Sequence, residues 1–318
     1  MEANPLVSIV TPSYNKGRFI EETILSVKNQ TYPRIEHIIV DGGSSDGTLD
    51  ILRKYNDSVV WKSEPDKGQS DGINKGWKMC KGEILAYLNA DDTYLPQAVE
   101  TAVSYLNEHQ DVGLVYGECN IIDMSGKVIS EFGAEEFKLE QILLGGGCPI
   151  PQPASFFRKA ILDEIGYLDT NLHMAMDLDF WVRTALKFKV QLIPHVLANF
   201  RTYPNTKSSS EILHTFWHDR LTIIEKTFSN PNLPDNIKVL KEQALRHAVY
   251  AIDTDAAFHI GRLELINGEW QEARSNFNKV MTKAHLPLRL KALFGLICSY
   301  FKVDMEWMAA ILCKPRMR

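Results

Sequence analysis

Residues 7–203 alternate short apolar runs with longer amphipathic stretches. Val7 to Thr11 is a β-prone run stopped by Pro12, and Phe19 to Asn29 carries Phe19, Ile20, Ile24 and Val27 at helical spacing. Ile35 to Val40 predicts a second strand, closed by the turn cluster Asp41-Gly42-Gly43-Ser44-Ser45-Asp46-Gly47. Thr48 opens a helix bearing Leu49, Ile51, Leu52 and Tyr55. Val59 to Trp61 predicts a third strand, Asp71 to Met79 a third helix, and Ile84 to Leu88 a fourth, buried strand. Strand and helix in strict alternation at this spacing predict a parallel sheet covered by helices.

After Asp92 the pattern changes. Gln97 to Glu108 predicts a helix, and Val112 to Tyr116 and Cys119 to Asp123 two strands. The turn Met124 to Lys127 leads into a further strand, Val128 to Phe132. Gly145 to Gly147, followed by Pro149, Pro151 and Pro153, reads as a loop shaped for function. A strand at Ala154 to Phe157, helices at Ala160 to Ile165 and Asp177 to Lys187, and strands at Val190 to Ile193 and Ala198 to Tyr203 complete the body. The expected fold is α/β: a Rossmann-like mixed sheet flanked by helices over residues 1–207, followed by an α-helical C-terminal extension over 208–318. Gly268 to Val280 resembles the second half of a tetratricopeptide-type hairpin, but no repeat accompanies it, so an ordinary helical extension is expected.

Composition narrows the picture. The chain has 318 residues, is 45% hydrophobic and 24% charged, and carries a net charge of −5. An acidic balance disfavours nucleic acid as a partner. Cys80, Cys119, Cys148, Cys298 and Cys313 are scattered, which suggests reduced thiols rather than a disulfide framework. With no export signal expected, a cytoplasmic protein is anticipated. Ala292 to Phe301 is apolar but far short of the roughly twenty residues a spanning helix needs. It predicts a buried helix; the sharper alternative is peripheral contact with the inner face of a membrane, with Trp307, Lys314, Arg316 and Arg318 as anchors.

The chemistry gathers at predicted strand ends. Leu88-Asn89-Ala90-Asp91-Asp92 follows a buried strand, where open α/β sheets bind ligands. Adjacent carboxylates there repel one another unless a cation offsets them, and hard oxygen ligands suit Mg²⁺ or Mn²⁺ together with substrate phosphates. Asp91 and Asp92 are thus candidate metal ligands, and a metal-assisted enzyme acting on a nucleotide diphosphate compound is expected. Thr11 and the polar turn Pro12-Ser13-Tyr14-Asn15 can hold a base or ribose. Asp41 can accept from a uracil N3–H or a ribose hydroxyl, or cap its own turn. Asp71 can cap the third helix, with Asn74 on the same face and Lys67 beside a terminus suited to a diphosphate. Asp46 stands where an EF-hand loop requires glycine, and neither a G-x-G-x-x-G nor a Walker pattern is present.

Taken together, four segments resemble the successive motifs of glycosyltransferase family 2. They are Ser8 to Asn15, Val40 to Thr48, Gly68 to Asn74 and Leu88 to Asp92. The resemblance spans residues 7 to about 203. It implies a GT-A fold and transfer of a sugar from a nucleotide diphosphate donor with inversion. It also implies a base contact from Asp41, a donor site lined by Asp71 and Asn74, and a metal on Asp91. The donor set is completed by Thr11, Pro12, Tyr14, Asn15, Lys67, Asn89 and Ala90. Asn89 stands where the usual D-x-D has its first acid, so it offers an oxygen without charge. Met174 to Arg183 resembles the family's acidic-pair region with Met176 in place of Glu, leaving Asp177 to match the catalytic base. Gln152-Pro153 resembles an acceptor-side loop, and Asp179 and Trp181 are placed on the same side.

The expectation is an inverting, metal-dependent hexosyltransferase-type enzyme of polysaccharide or glycoconjugate biosynthesis, such as that of the cell envelope. Its acceptor would be a saccharide or lipid-linked hydroxyl, with peripheral membrane contact through the C-terminal helices. The absence of the Q-x-x-R-W motif of processive synthases favours a single addition. A nucleotidyltransferase lacks support, because no G-x-G-x-R-type loop follows the first strand. The remaining alternative is a non-catalytic nucleotide-sugar-binding scaffold with a partner-binding helical tail.

Overall fold

The computed structural model describes residues 4–203, 206 and 214–303. Trp307, Lys314, Arg316, Arg318, Cys313 and the expected boundary at Lys207 and Ser208 lie outside the described residues. The chain divides into two compact units, Met1–Leu139 with Gly147–Leu172 and Met176–Tyr203, and Glu140–Gly146 with His173–Ala175 and Pro204–Arg318.

The first unit opens with β1 (Val7–Ser13), α1 (Ile20–Lys28), β2 (Ile35–Asp41), α2 (Thr48–Lys54), β3 (Val60–Ser63), α3 (Gln69–Met79) and β4 (Ile84–Tyr87). Strands β1 and β4 are almost wholly buried, as parallel strands covered on both faces must be, whereas β3 is partly exposed at the sheet edge. Helix α1 buries Ile20, Thr23, Ile24 and Val27 on one face, and Glu21, Glu22 and Lys28 suit its dipole. Helix α3 lies close on β1 at Gly76, where a Cβ would stand 2.3 Å from Val10 Cγ1. Its Trp77 ring packs against Tyr87, Phe157 and Phe180.

There follow β5 (Thr93–Tyr94), α4 (Ala98–Glu108), β6 (Val112–Ile122), β7 (Val128–Glu131), the short helix α5 (Leu139–Leu143), β8 (Ser155–Arg158), α6 (Ala160–Ile165), α7 (Met176–Ala185) and β9 (Lys189–Arg201). Among the described residues these form one nine-stranded sheet in the order β3-β2-β1-β4-β8-β6-β9-β5, with β7 on β6. β3, β2, β1 and β4 run parallel, β8 is antiparallel to β4 and β6, and β9 is parallel to β6. A mixed sheet flanked by helices is thus observed.

Two pairs of predicted strands are single strands. Val112–Tyr116 and Cys119–Asp123 merge into β6, and Val190–Ile193 and Ala198–Tyr203 into β9. The gaps between the paired runs are bulges, because the β6–β9 register jumps between Tyr116 and Glu118 while pairing continues. A Cβ on Gly117 would stand 2.4 Å from the His195 carbonyl oxygen, so only glycine lets the bulged strands approach there. Helix α5 was not signalled by periodicity.

The second unit holds α5 from Glu140 onward, together with α8 (Thr215–Ser229), α9 (Asp235–Lys238), α10 (Lys241–Ala251), α11 (Ala257–Ile266), α12 (Trp270–Lys283) and α13 (Leu286–Phe301). A π-helical turn, Ile252–Ala256, joins α10 to α11. Phe277, Ala273, Val280, Leu288 and Ala292 are buried in the core of α11 to α13. No described helix is long and apolar enough to cross a membrane.

Candidate functional site

The carboxyl ends of β1, β2 and β4 lie side by side, with Ser13 paired to Asp41 and Val10 to Tyr87. They deliver Tyr14-Asn15-Lys16, the 41–47 turn and the segment 88–92 to one end of the sheet. Three parallel strands ending together is what makes this end a ligand crevice.

The first two loops are stitched together. Asn15, at φ 51, donates its amide to Ser44 Oγ at 2.7 Å and accepts from the Ser45 amide at 2.9 Å. The Lys16 and Gly17 amides bind Thr48 Oγ1 and Asp46 Oδ2. Asp41 is fully buried. Its Oδ2 accepts from the amides of Gly43 and Ser44 and from Ser63 Oγ, and its Oδ1 from Ser44 Oγ. In this structure Asp41 therefore shapes the turn. Thr11 is also buried, its hydroxyl bonded to His37 Nε2 at 2.9 Å. Burial drives His37 down to about 3, so the imidazole is neutral. Pro12 is half-buried, and Tyr14 and Asn15 are exposed at the rim.

Asp71 sits in the first turn of α3 and accepts from the Lys67 amide at 3.1 Å and from Lys75 Nζ at 3.2 Å. The Lys67 amide bond, joined by the Lys75 ammonium, outweighs burial and holds its carboxyl below the usual range. The Lys67 side chain is exposed. Asn74 is buried and spends its amide on Leu168, donating to the carbonyl at 2.9 Å and accepting from the amide at 3.0 Å. It clamps α3 to the 166–172 segment.

The segment after β4 carries an amide network. Asn89 Oδ1 accepts from Gln69 Nε2 at 2.6 Å, while its Nδ2 donates to Gln152 Oε1 at 2.9 Å and to Asp92 Oδ2 at 3.1 Å. Gln152 Nε2 donates to the Tyr87 carbonyl at 2.7 Å. The predicted acceptor-side residue is thus tied directly to the predicted donor side. Ala90 is buried behind this network. Asp92 is 1% exposed and accepts from Asn89 and, at 2.9 Å, from the Arg201 amide. Burial, then the neighbouring Asp91 charge, push its carboxyl well above the ordinary range. In this structure Asp92 secures the turn from within.

Asp91 remains. Its Oδ2 accepts from Lys16 Nζ at 2.6 Å and from the Tyr203 hydroxyl at 2.7 Å. The ammonium also donates to that hydroxyl at 2.6 Å. Burial opposes the Lys16 charge, but Asp91 and Tyr203 outweigh it and hold the ammonium above its usual value. Arg201, nearly fully buried, donates to the carbonyls of Asp91 and Asp123 and to Glu22 Oε2, bracing the turn from behind. Among the described residues no group of three or more His, Cys, Asp or Glu could hold a metal ion. The carboxylate of Asp91 nonetheless holds a stand-in cation, the Lys16 ammonium. A carboxylate oxygen that here pairs with a cation is the kind of hard donor Mg²⁺ or Mn²⁺ takes, provided a diphosphate supplies the other oxygens.

On the other side Asp177 is half-buried at the start of α7, where the Leu178 amide donates to its Oδ1 at 2.8 Å. Buried Tyr87 feels its charge, and the Tyr87 hydroxyl has no hydrogen-bond partner among the described residues. Asp179 and Trp181 are not brought to the surface of the crevice. Asp179 is buried and paired with Arg183 Nε at 2.8 Å, and Trp181 is wholly buried against Phe180. Helix phase explains Asp179, which lies about 200° around α7 from Asp177; Trp181, one turn beyond Asp177, is buried by its packing against Phe180. Sequence reasoning missed Lys16, Gln69, Arg201 and Tyr203. Lys16 follows the first strand's polar turn and could have been suspected, but Arg201 and Tyr203 carry no local signal.

Residues 8–166 match the family model described as Glycosyl transferase family 2. An uncharacterized glycosyltransferase of Mycobacterium tuberculosis strain H37Rv is 33% identical over 205 residues, covering 64% of this chain and 77% of that protein. Another, of Methanocaldococcus jannaschii, is 29% identical over 206 residues, covering 62% and 71%. Among solved structures, S. aureus TarS in complex with UDP-GlcNAc superposes with a TM-score of 0.61 at 19% identity, covering 96% of this chain and 92% of that one. In a longer TarS structure the match covers 55% of that chain. The mannosyltransferase PcManGT from Pyrobaculum calidifontis, in complex with GDP-Man and Mn²⁺, gives 0.58 at 17% identity, covering 98% and 86%.

Proposed function

The chain belongs to glycosyltransferase family 2 and has a GT-A-type fold, and from that premise we propose that it transfers a hexose-type sugar from a nucleotide diphosphate donor to an acceptor hydroxyl with inversion. The observation that carries this reading is the convergence of Tyr14, Asn15, Lys16, Asp71, Asn89, Asp91 and Gln152 around the carboxyl ends of β1, β2 and β4. TarS and PcManGT, whose folds are alike, were solved with UDP-GlcNAc and with GDP-Man.

The donor's nucleoside lies against the exposed rim formed by Pro12, Tyr14 and Asn15. Thr11, Asp41, Asn74 and Ala90 act from behind, holding the loops that line it. Lys67 and the amides at the start of α3 attract the diphosphate, and Asp71 faces the donor from the same turn. A Mg²⁺ or Mn²⁺ ion held by Asp91, when bound, supplies charge stabilisation for the departing diphosphate. Asp177 accepts the proton of the attacking acceptor hydroxyl, which approaches on the Gln152 side. The new bond forms between the acceptor oxygen and the anomeric carbon as the bond to the diphosphate oxygen breaks, so one displacement inverts the centre.

The proposed setting is cytoplasmic synthesis of a cell-envelope polysaccharide or other glycoconjugate on a saccharide or lipid-linked acceptor. Contact with an anionic membrane surface is supported by α13. Leu286, Leu290, Leu293, Ile297 and Tyr300 recur at intervals of four and three, all exposed on one face, and the only charged residues of the helix are Arg289 and Lys291.

The test is a panel of nucleotide sugars with and without Mn²⁺, read by thermal shift and nucleoside diphosphate release. One donor should stabilise the protein and be turned over, and Asp177→Asn should bind it equally while losing about 10²–10⁴ in kcat. Near wild-type turnover by that variant would refute the base assignment. Silence of the folded protein across the panel would favour the scaffold alternative.

A further inference from the structure

Lys16 is built into the site. Its backbone amide is pinned to Thr48 Oγ1 at 3.0 Å, and the next amide to Asp46 at 2.9 Å. Its side chain, 28% exposed, lies over the Tyr203 ring with the ammonium 5.3 Å from the centroid. The Tyr203 ring in turn packs on Phe19, centroids 5.1 Å apart. The ammonium thus has a fixed seat between a carboxylate and a phenol contributed by the segments after β4 and β9.

We propose that Lys16 is the resident counter-ion of Asp91 in the donor-free protein, and that it must release Asp91 before a divalent cation can bind. The inference rests on the reading that Asp91 serves a metal–diphosphate pair. A divalent ion arriving alone meets one carboxylate oxygen already bonded to an ammonium and a hydroxyl, with a positive charge within hydrogen-bond reach. Asn89 brings no charge to supplement it, and its oxygen is already held by Gln69 while its nitrogen donates to Gln152 and Asp92. A diphosphate reverses the balance: it brings oxygens for the metal and an alternative anionic partner for the Lys16 ammonium. Metal affinity is therefore conditional on nucleotide, and the donor-free site stays neutral and closed to metal. In this role Lys16 is a positioning residue.

The experiment is a Mn²⁺ titration read by the electron paramagnetic resonance of the free ion, on nucleotide-free protein and again with UDP or GDP added. Wild type should capture Mn²⁺ only with nucleoside diphosphate. Lys16→Met, and independently Lys16→Gln, should capture one Mn²⁺ without nucleotide about tenfold or more tightly than wild type, because the competing charge is gone. Lys16→Arg keeps the charge and should behave as wild type, a pattern that a purely structural lysine would not produce. Equal Mn²⁺ affinity of wild type and both neutral variants without nucleotide overturns the proposal. Failure of every variant to capture Mn²⁺ with either diphosphate, while thermal shift still reports nucleotide binding, overturns the metal reading of Asp91 itself and the proposal with it.

Discussion

Acid should weaken this protein through His37, and the size of the effect follows from its burial. The ring projects from β2 and is bonded to Thr11 of the neighbouring β1; it is 5% exposed, and burial takes it from 6.5 to about 3. Its folded-state value lies below the unfolded one. Between pH 6.5 and 3 the unfolded chain therefore binds a proton that the folded protein refuses, and stability falls as the pH falls. From pH 7 to pH 5 this one group should cost about 2 kcal/mol, at about 1.4 kcal/mol per unit once the unfolded histidine is protonated. His259, also driven down by burial to about 4, adds loss of the same sign. The effect of His37 is isolated by His37→Gln, whose amide can reach Thr11 from the same direction but does not titrate. Urea unfolding of both proteins at pH 7, 6 and 5 gives the difference in stability at each pH. Wild type should lose about 2 kcal/mol more than the variant over that range. Parallel losses would mean that the folded protein accommodates a charged His37, and the reasoning would fail.

Three further outcomes are expected. Asn74→Ala removes both bonds to Leu168 and leaves buried backbone groups unpaired, so urea unfolding should report a loss of about 1–3 kcal/mol. Isothermal titration should still find donor affinity within about threefold, since Asn74 acts from behind the site; a loss of affinity beyond the loss of stability would give it a direct donor contact. Gly76→Ala forces a Cβ to 2.3 Å from Val10 Cγ1, and the displacement of α3 should cost about 1–3 kcal/mol, seen as a lowered Tm; an unchanged Tm would mean that the contact relaxes freely. In co-sedimentation with phosphatidylglycerol vesicles, Leu290→Ser with Ile297→Ser should reduce binding at least about fivefold. Equal binding by the double variant, or none by wild type, would remove the membrane contact of α13.

The sequence by itself was enough for the strand–helix alternation, the buried parallel strands and the family, because these depend on local periodicity and on motifs contained in a few adjacent residues. It also sufficed to put Asn15, Asn89 and Asp91 just beyond the ends of neighbouring strands, since strand ends in a parallel sheet converge once the order of elements is known. What it left open were choices of partner. Asp91 and Asp92 look equivalent in the chain, yet the first meets an ammonium and the second is sealed beneath Asn89 and the Arg201 amide. Asp41 and Asn74 show the same ambiguity between ligand contact and scaffold, resolved for the unliganded protein by the turn around one and by Leu168 against the other. The merging of paired runs into β6 and β9 likewise depended on a ladder that runs on through its bulges. Lys16 and Tyr203 are 187 residues apart and share a hydrogen bond over Asp91. Contacts of that span arise only when the sheet closes, because burial and pairing energies act on side chains that folding, and not sequence proximity, brings within reach.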